Sequence, residues 1–266
     1  MYTILIMKIA VIGAGEMGGA FATGLLKTDL FKPEDITVAN PHEGKLKPFA
    51  EQGTSVTTDN KVAAAVADIV VLAVKPKVVK GVIDEIKEEL DYSKQTIVNM
   101  AASIKLDQLE AWLISGGDVP AICQAIPNIG IAHCQSMTFL SPNDKAAAQL
   151  NAILDIFNAL GKTMVVDEDL LGAGTAMAGC GIAYVLRFIR AASEAGVELG
   201  FKADDAKDIV LQTIAGAASL LADGSHPEAE IDKVTTPGGM TIKGLNTLEA
   251  NGFTNAVIEG FKGSLK

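Results

Sequence analysis

Three glycines near the start of the chain are spaced as in a phosphate-binding loop. Gly13, Gly15 and Gly18 form G-x-G-x-x-G directly after the apolar run KIAVIG and before an amphipathic stretch. The first glycine of such a loop permits a tight turn, the second lets the backbone approach a pyrophosphate, and the third lets the helix pack on the strand. The first amides of that helix would bind the anion. The pattern predicts a dinucleotide site that comprises Gly13, Ala14, Gly15, Glu16, Met17 and Gly18, with the Glu16 carboxylate pointing to solvent.

The end of the second predicted strand bears on which dinucleotide binds. An Asp or Glu about 20 residues past the glycines usually holds the ribose of NAD. This chain has Asn40 there, within Ala39-Asn40-Pro41-His42, and a neutral amide would not repel a 2′-phosphate. His42 or Lys45 would add positive charge. The residues favour NADPH, with NADH as the alternative, although a simple strand-ending turn fits them equally well.

Two later turns are predicted to border the nicotinamide half, because ligands of doubly wound sheets bind at the carboxyl ends of the strands. Lys75 in the first of these turns fits an ordinary solvated charge equally well. The remaining predicted cofactor contacts are Asn60, Ala73, Val74, Lys75, Pro76, Ala101 and Ala102.

A second motif, TTPGGMTIKGL at residues 235–245, interrupts a part of the chain with helical patterning. Gly238 and Gly239 allow two backbone N–H groups to face one anion, and a helix that begins near Thr241 adds the positive end of its dipole. The motif therefore predicts a site for a small carboxylate. A plain helix N-cap by Thr235 or Thr236 is the alternative.

Alternating strands and helices are predicted to position the first motif. The apolar runs DITVAN, DIVVLAV, QTIVNMA and VPAICQA alternate with amphipathic stretches, and a last strand is predicted at residues 164–166. Nearly continuous apolar strands between helices indicate an α/β domain with a parallel sheet covered on both faces. The predicted helices of this part cover residues 17–27, 43–52, 78–89 and 106–112.

The strand patterns stop after Asp167. Alanine-rich helical stretches then cover residues 171–199, 203–222 and 242–266, so we predict two domains, residues 1–166 and 167–266. Glycines interrupt the first of these stretches at up to about 1 kcal/mol each. Close packing against another helix, which a second subunit could supply, would offset that cost.

Composition limits the location and the partners. With 49% hydrophobic and 20% charged residues, the 266-residue chain is typical of globular proteins. A net charge of −10 argues against a nucleic-acid partner. The apolar run at the start lacks the features of a signal peptide, and we found no stretch near the roughly 20 apolar residues that span a bilayer. We therefore expect a cytoplasmic protein without membrane contact, whose natural start is either Met1 or Met7.

The cysteines and histidines do not predict a metal site. Cys123, Cys134 and Cys180 form no C-x-x-C pair, and their odd number argues against a disulfide framework. We expect reduced thiols and no bound metal. His133 and His226 have no carboxylate partner in the sequence, and we interpret both as structural.

Several motifs in their order along the chain resemble those of the pyrroline-5-carboxylate reductase family. They are IGAGEMG, AVKP, IPN at 126–128, AGCGIAY at 178–184, HP at 226–227 and, most specifically, VTTPGGMTIKGL at 234–245. The similarity runs from Met7 nearly to the C-terminus.

The resemblance implies an N-terminal Rossmann-type sheet, a C-terminal all-α domain that dimerises, and reduction of a cyclic imino acid by NADPH or NADH. It also implies that the loop from Val234 to Thr241 holds the substrate carboxylate and that the Thr241 hydroxyl approaches the ring nitrogen. Tyr184 is predicted to line the pocket and Lys233 to lie near it. The full predicted substrate set is Lys233, Val234, Thr235, Thr236, Pro237, Gly238, Gly239, Met240 and Tyr184, with Thr241 as the catalytic residue.

Four positions depart from that family's usual residues. The family commonly has glycine where this chain has Ser103, arginine for Gln124, proline for Ile182, and Asn or Ala for Lys233. Two other functions remain open: a β-hydroxyacid dehydrogenase, and a non-catalytic NADP-binding regulatory protein. The dehydrogenase needs a base, typically a lysine on the long helix, where this chain has Arg187 and Arg190.

Overall fold

The computed structural model describes residues 7–265, and most of the apolar run that opens the chain, residues 1–6, lies outside that range. Within the described residues the strands are β1 (Ile9–Ile12), β2 (Ile36–Ala39), β3 (Ser55–Thr57), β4 (Ile69–Leu72), β5 (Thr96–Asn99), β6 (Ala121–Ile126), β7 (Ser136–Pro142) and β8 (Gly161–Val165). The helices are α1 (Glu16–Leu25), α2 (Lys47–Ala50), α3 (Asn60–Val66), α4 (Pro76–Ile86), α5 (Leu106–Leu113), α6 (Asp144–Ala147), α7 (Leu150–Ala159), α8 (Leu171–Gly174), α9 (Gly181–Glu198), α10 (Ala203–Leu220), α11 (Pro227–Lys233), α12 (Met240–Ala250) and α13 (Phe253–Gly263).

The strands form one sheet in the order β3-β2-β1-β4-β5-β6-β7-β8. The predicted α/β class is confirmed, since every strand pair except β6–β7 is parallel. Successive residues of β1 point to opposite faces, and all four are buried, Ile9 and Val11 in one apolar cluster and Ala10 and Ile12 in the other. Helices therefore cover both faces, as the apolar runs predicted.

Strand β7 is antiparallel to β6, which the sequence reading missed. Residues 127–135 between the two strands hold one 3₁₀ turn, Ile129–His133, and no crossover helix. A parallel connection needs a dozen or more residues, so the chain turns back instead. Polar residues within SMTFLSP also broke the apolar pattern by which the other strands were found.

One predicted helix, at residues 43–52, was wrong. The structure has a 3₁₀ turn at Glu43–Lys45 and then the four-residue α2. Pro48 lies in α2 and has no N–H to donate to a preceding turn, so one continuous helix cannot run through it. Similarly, Gly252 with φ +76° separates α12 from α13, where one helix was predicted.

The chain divides into two compact units, one that ends at Gly179 and one that begins at Cys180. The division falls later than the predicted 166/167 boundary because α8 packs on the sheet. A Cβ on Gly174 would lie 2.6 Å from the Phe139 ring of β7, so only glycine permits this approach. A π-helical segment, Thr175–Cys180, then leads into α9.

Few residues of the second unit are buried. Among its residues as far as 265, Gly181 and Ala206 are the buried ones. Gly196 lowers the helix propensity of α9, but it lets α9 pack closely on α10 of the same chain. A Cβ at Gly196 would lie 2.8 Å from the Cβ of Ala206 in α10. The predicted close packing is thus found, with a helix of the same chain.

The helical stretch Glu168–Glu198 corrects one prediction. It is 31 residues long, and its apolar window has a mean hydropathy of 1.4. By length and composition it is therefore apolar enough to cross a membrane, contrary to the expectation that no stretch would be. Only 22% of that window is buried.

Candidate active site

The first and third glycines of the G-x-G-x-x-G loop are required by the fold itself. Gly13 follows β1 with φ +108°, and its N–H donates to the Ala39 carbonyl at 2.8 Å. A Cβ on Gly18 in α1 would lie 1.9 Å from the Gly13 carbonyl oxygen. Any side chain at Gly18 would therefore separate the helix from the loop.

The second glycine has a different role. Gly15 is the N-cap residue of the ten-residue α1, with no side-chain cap, and a Cβ there would meet nothing within 4 Å. The position therefore tolerates a side chain sterically, and the backbone is bare where an anion would approach the helix N-terminus. Glu16 is exposed in the first turn and lines the neighbouring cleft, so the predicted solvent-facing direction of its carboxylate stays a prediction.

A cleft of about 800 Å³ lies beside this loop. The predicted cofactor residues that line it are Gly13, Gly15, Glu16, Met17, Asn40, Asn60, Ala73, Val74 and Lys75. Those predicted residues that do not line it are Ala14, Gly18, Pro76, Ala101 and Ala102. The glycine loop, the helix N-terminus and the volume together fit a nicotinamide dinucleotide.

Part of the cleft wall was missed by the sequence reading. It comes from one face of α4, whose residues Val78, Val82 and Glu85 recur at helical spacing. The sequence predicted a helix at residues 78–89 but assigned none of these residues to the cofactor site. Glu85 accepts a hydrogen bond from the Asn60 Nδ2 at 2.9 Å, so the two side chains form one rim of the cleft.

Asn40 forms hydrogen bonds to two segments beside the cleft. Its buried side chain accepts the Ala14 N–H at 3.2 Å and donates to the His42 carbonyl, also at 3.2 Å. The amide thus joins the glycine loop to the segment after β2, a role that the sequence reading did not assign. The residue remains uncharged, and the exposed His42 and Lys45 line the same part of the cleft.

The loop after β5 contains a strained residue. Ser103 has φ +66°, in the left-handed region that favours glycine. This is the position where the resembled family commonly has glycine. Ala101 beside it is buried, and both of its backbone polar groups bond to the Asn99 side chain, the N–H at 3.3 Å and the carbonyl at 2.9 Å.

Replacing Ser103 with glycine is expected to stabilise the protein. The left-handed conformation costs a non-glycine residue about 1–2 kcal/mol, and glycine removes this strain. Glycine also makes the unfolded chain more flexible, which lowers the stability by roughly 0.5–1 kcal/mol and so cancels part of the gain. Urea unfolding should therefore show Ser103→Gly more stable by up to about 1 kcal/mol. The matched control is Ala102→Gly, where φ is not positive, and it should be less stable than the unchanged chain. A Ser103→Gly variant no more stable than that control would contradict the strain.

The TTPGGMT motif forms a tight turn that leads into α12. The Gly239 N–H donates to the Thr236 carbonyl at 3.0 Å, and Gly238 has φ +70°. With Pro237 before the glycine, this is a type II turn. The turn therefore needs glycine at position 238, whereas a Cβ on Gly239 would lie 2.5 Å from the Thr236 Oγ1 and 3.1 Å from the Thr236 carbonyl oxygen, so the Thr236 side chain would have to rotate.

The geometry corrects two details of the predicted carboxylate site, the role of the Gly239 amide and the N-cap alternative, and it confirms the helix predicted to begin near Thr241. The Gly239 amide is occupied within the turn, so it does not face an anion in this structure. The helix begins at Met240, with Gly239 as an N-cap residue without a side-chain cap bond. Neither threonine caps the helix, since the Thr235 hydroxyl donates to the Ile231 carbonyl at 2.7 Å. The N-cap alternative is therefore wrong.

The residues predicted around this turn are exposed. Val234, Thr236, Pro237, Met240 and Thr241 all face solvent. Thr241 is the second residue of α12, where backbone N–H groups point out of the helix. The uncapped helix N-terminus, with a hydroxyl beside it, suits a small anion.

Lys233 and Tyr184 already have partners within the second unit. The Lys233 ammonium lies 2.6 Å from the Glu230 carboxylate. The Tyr184 hydroxyl is hydrogen-bonded to the Ser264 hydroxyl, and its ring packs edge-on against Phe261 with 5.0 Å between ring centres. Both residues thus have structural contacts, and their predicted places at a substrate pocket stay predictions.

Cys123 and His226 are not reactive groups of these sites. Burial raises the pKa of the Cys123 thiol to about 12, so the thiol stays protonated near neutral pH and is a poor nucleophile. The His226 Nδ1 accepts the Glu228 N–H at 3.2 Å and caps α11, in agreement with the structural role expected of it. Residues 7–265 contain no cluster of potential metal ligands.

Two different family models match the two parts of the chain. Residues 168–266 match the model described as pyrroline-5-carboxylate reductase dimerisation, and residues 8–103 match one described as NADP oxidoreductase, coenzyme F420-dependent. The first match supports an oligomer built through the second unit. The second match covers the cleft and its glycine loop.

Known proteins are similar over the whole described chain. The pyrroline-5-carboxylate reductase of Methanosarcina acetivorans is 35% identical over 258 residues, which cover 94% of each chain. Pyrroline-5-carboxylate reductase 1 of Dictyostelium discoideum is 40% identical over 95% of this chain, which spans about half (47%) of that relative. The structure of the Plasmodium falciparum pyrroline carboxylate reductase with NADP bound superposes with a TM-score of 0.87 at 26% identity, covering 98% of this chain and 97% of that one.

The cleft, the turn before α12 and these full-length similarities agree with one another. The chain belongs to the pyrroline-5-carboxylate reductase family.

Proposed function

We propose that the chain reduces 1-pyrroline-5-carboxylate to L-proline with NADPH, the last step of proline biosynthesis. The observation that carries this function is family-level similarity along the whole described chain, together with a dinucleotide cleft and a bare helix N-terminus of the kind the reaction needs. NADPH, when bound, supplies a hydride from its nicotinamide ring to the C=N carbon of the substrate.

The turn before α12 binds the substrate carboxylate. Backbone N–H groups at the N-terminus of α12 hold the anion, and the helix dipole adds typically 0.3–1 kcal/mol of attraction. The left-handed Gly238 shapes the turn so that no side chain blocks this approach. Thr241, in the first turn of the helix, places its hydroxyl near the ring nitrogen and is the proposed catalytic residue.

The chain needs little acid–base chemistry for this reaction. An imine protonated on nitrogen is already electrophilic at carbon, so positioning carries most of the rate. His226 is used as a cap of α11, because its Nδ1 accepts the Glu228 N–H. The chain also differs from hydroxyacid dehydrogenases, because α9 carries Arg187 and Arg190 but no lysine.

NADPH is the preferred cofactor. Asn40 leaves the ribose end of the cleft without a carboxylate, and His42 and Lys45 offer donors to a 2′-phosphate. NADH remains a usable second cofactor, because the glycine loop and the N-terminus of α1 would bind the pyrophosphate that both cofactors share.

The protein is a cytoplasmic homodimer, or a larger assembly of such dimers. The second unit exposes many apolar side chains, among them Leu199 at 81% and Leu186 at 57%. A surface so apolar with so little buried core is typical of a unit completed by a partner. A second copy would also cover the apolar surface of the 168–198 stretch.

Sedimentation velocity tests the dimer. The chain is expected to sediment as a dimer or a multiple of it wherever it is folded. Leu186 is exposed on a groove between α9 and α10, and Leu186→Asp should shift the population towards monomer. The matched control Val62→Asp alters a residue of α3 that is equally exposed, at 53%, and should change nothing. A folded monomer of the unchanged chain would contradict the assembly.

A steady-state assay tests the function. NADPH oxidation should require 1-pyrroline-5-carboxylate, with NADH giving a lower kcat/KM. Turnover of β-hydroxy acids instead would favour the dehydrogenase. NADPH binding without turnover of the imine would favour the non-catalytic regulatory protein.

A further inference from the structure

A pair of buried amides joins the ends of two neighbouring strands beside the cleft. Asn99 ends β5 and lies in register with Gln124 of β6. The Asn99 Nδ2 donates to the Gln124 Oε1 at 2.7 Å, and both residues are almost wholly buried, at 0% and 2% exposed. Two such polar side chains are stable in a core only when their hydrogen bonds are satisfied.

Both amides also hold the loop that follows β5. The Asn99 Nδ2 donates to the Ala101 carbonyl at 2.9 Å, and the Gln124 Nε2 donates to the Ile104 carbonyl. The loop is therefore fixed near each end, with the left-handed Ser103 between the two bonds. A strained conformation persists only when its surroundings determine it, and here the amide pair does so.

The loop lies at the edge of the sheet that carries the cleft. β5 pairs with β4 so that Leu72 is opposite Asn99, and the Met100 N–H donates to the Leu72 carbonyl at 3.0 Å. The residues after Leu72, Ala73 to Lys75, line the cleft. In the order β2-β1-β4-β5, Asn40 after β2 would hold the ribose end of a dinucleotide and the glycine loop after β1 would hold its pyrophosphate. A bound dinucleotide thus extends its nicotinamide half towards the β5 loop.

We propose that Gln124 is a positioning residue. Through Asn99 and the Ile104 carbonyl it fixes the backbone of residues 101–104, against which the nicotinamide half of NADPH is placed for hydride transfer. The inference rests on the proposed function. Because misplacement by about 1 Å can reduce a rate by about 100-fold, loosening this loop lowers kcat more than it weakens NADPH binding, whose other contacts lie at β1 and β2.

Gln124→Met tests the proposal, since methionine is similar in length and shape but makes neither hydrogen bond. The matched control is Gln95→Met. Gln95 is a second buried glutamine, at the opposite end of β5, and it donates to the Ala64 and Ala67 carbonyls. Both variants lose buried amide bonds, so an effect through general stability would appear in both.

The expected result separates the two variants. Gln124→Met should lower kcat for the imine by on the order of 10- to 100-fold, with the NADPH Kd from nicotinamide fluorescence changed by less than about threefold. Its amides in residues 101–104 should exchange hydrogen faster in mass spectrometry. Gln95→Met should retain wild-type kcat and wild-type exchange in those residues.

Equal kcat in Gln124→Met and wild type, or equal losses in Gln124→Met and Gln95→Met, would overturn the proposal. If Gln124→Met does not fold, Gln124→Asn keeps a polar group while withdrawing it from the Ile104 carbonyl, and the same loss of kcat is expected. Should the unchanged chain not reduce the imine, the proposed function fails. In that case the exchange of residues 101–104 and the NADPH Kd still decide whether Gln124 holds the loop.

Discussion

Gly18→Ala is expected to abolish measurable NADPH binding and to lower the free energy of unfolding by about 3 kcal/mol or more, at the upper end of overpacking effects. The added Cβ would lie 1.9 Å from the Gly13 carbonyl oxygen and 2.9 Å from the Ala73 Cβ. Relief requires α1 to move away from β1, which also withdraws the helix N-terminus from the cleft. Urea unfolding and NADPH fluorescence titration measure the two effects.

The neighbouring glycine provides the control. Gly19 lies one residue further along α1, and a Cβ there would meet its nearest atom at 3.9 Å, an ordinary contact. Gly19→Ala should therefore stabilise the helix by about 0.5–1 kcal/mol and leave NADPH binding unchanged. If Gly18→Ala behaved like Gly19→Ala, the close packing of loop and helix described above would be wrong.

Thr241→Ala is expected to lower kcat/KM for the imine by on the order of 100-fold, a typical effect for a positioned hydroxyl that acts on a reacting atom. The NADPH Kd should stay within about twofold, because the cofactor cleft is formed by other residues. Stopped-flow or steady-state NADPH oxidation, with a separate fluorescence titration, distinguishes the two quantities.

Two further variants show whether the hydroxyl itself matters. Thr241→Ser keeps the hydroxyl and should recover most of the activity. Thr247→Ala removes a hydroxyl that donates to the Lys243 carbonyl at 2.8 Å further along α12, and it should leave kcat/KM unchanged. Full activity of Thr241→Ala, or an equal loss in Thr247→Ala, would remove Thr241 from the reaction.

The sheet could be predicted because its signals are local. A buried parallel strand such as IAVI needs apolar residues on both faces, so the run itself indicates the strand. The glycine loop was equally clear, since Gly13 and Gly18 are required by backbone geometry over a few residues. Features that depend on distant contacts were missed. The antiparallel β7 follows from a connection too short for a crossover, and the later unit boundary follows from the contact of Gly174 with Phe139.

Details of the site were hardest to predict where one polar group could form hydrogen bonds with several different partners. Asn40 lines the cleft, but its bonds to Ala14 and His42 could not be predicted, because they depend on a loop that the fold brings near. The turn before α12 was found from its glycines, yet the Gly239 amide bonds within the turn. The strain at Ser103 could have been suspected from the glycine that the family commonly has there, since a left-handed backbone is one common reason for a glycine.

The most direct measurement follows the hydrogen that is transferred from NADPH to the imine. The purified chain would be incubated with 1-pyrroline-5-carboxylate and NADPH deuterated at both C4 positions, and the product analysed by chiral chromatography and mass spectrometry. The predicted product is L-proline carrying a single deuterium at C5, formed in equal amount to the NADP⁺ released. NADP⁺ formed without deuterated proline, or no reaction with this imine under conditions where NADPH binds, would contradict the account.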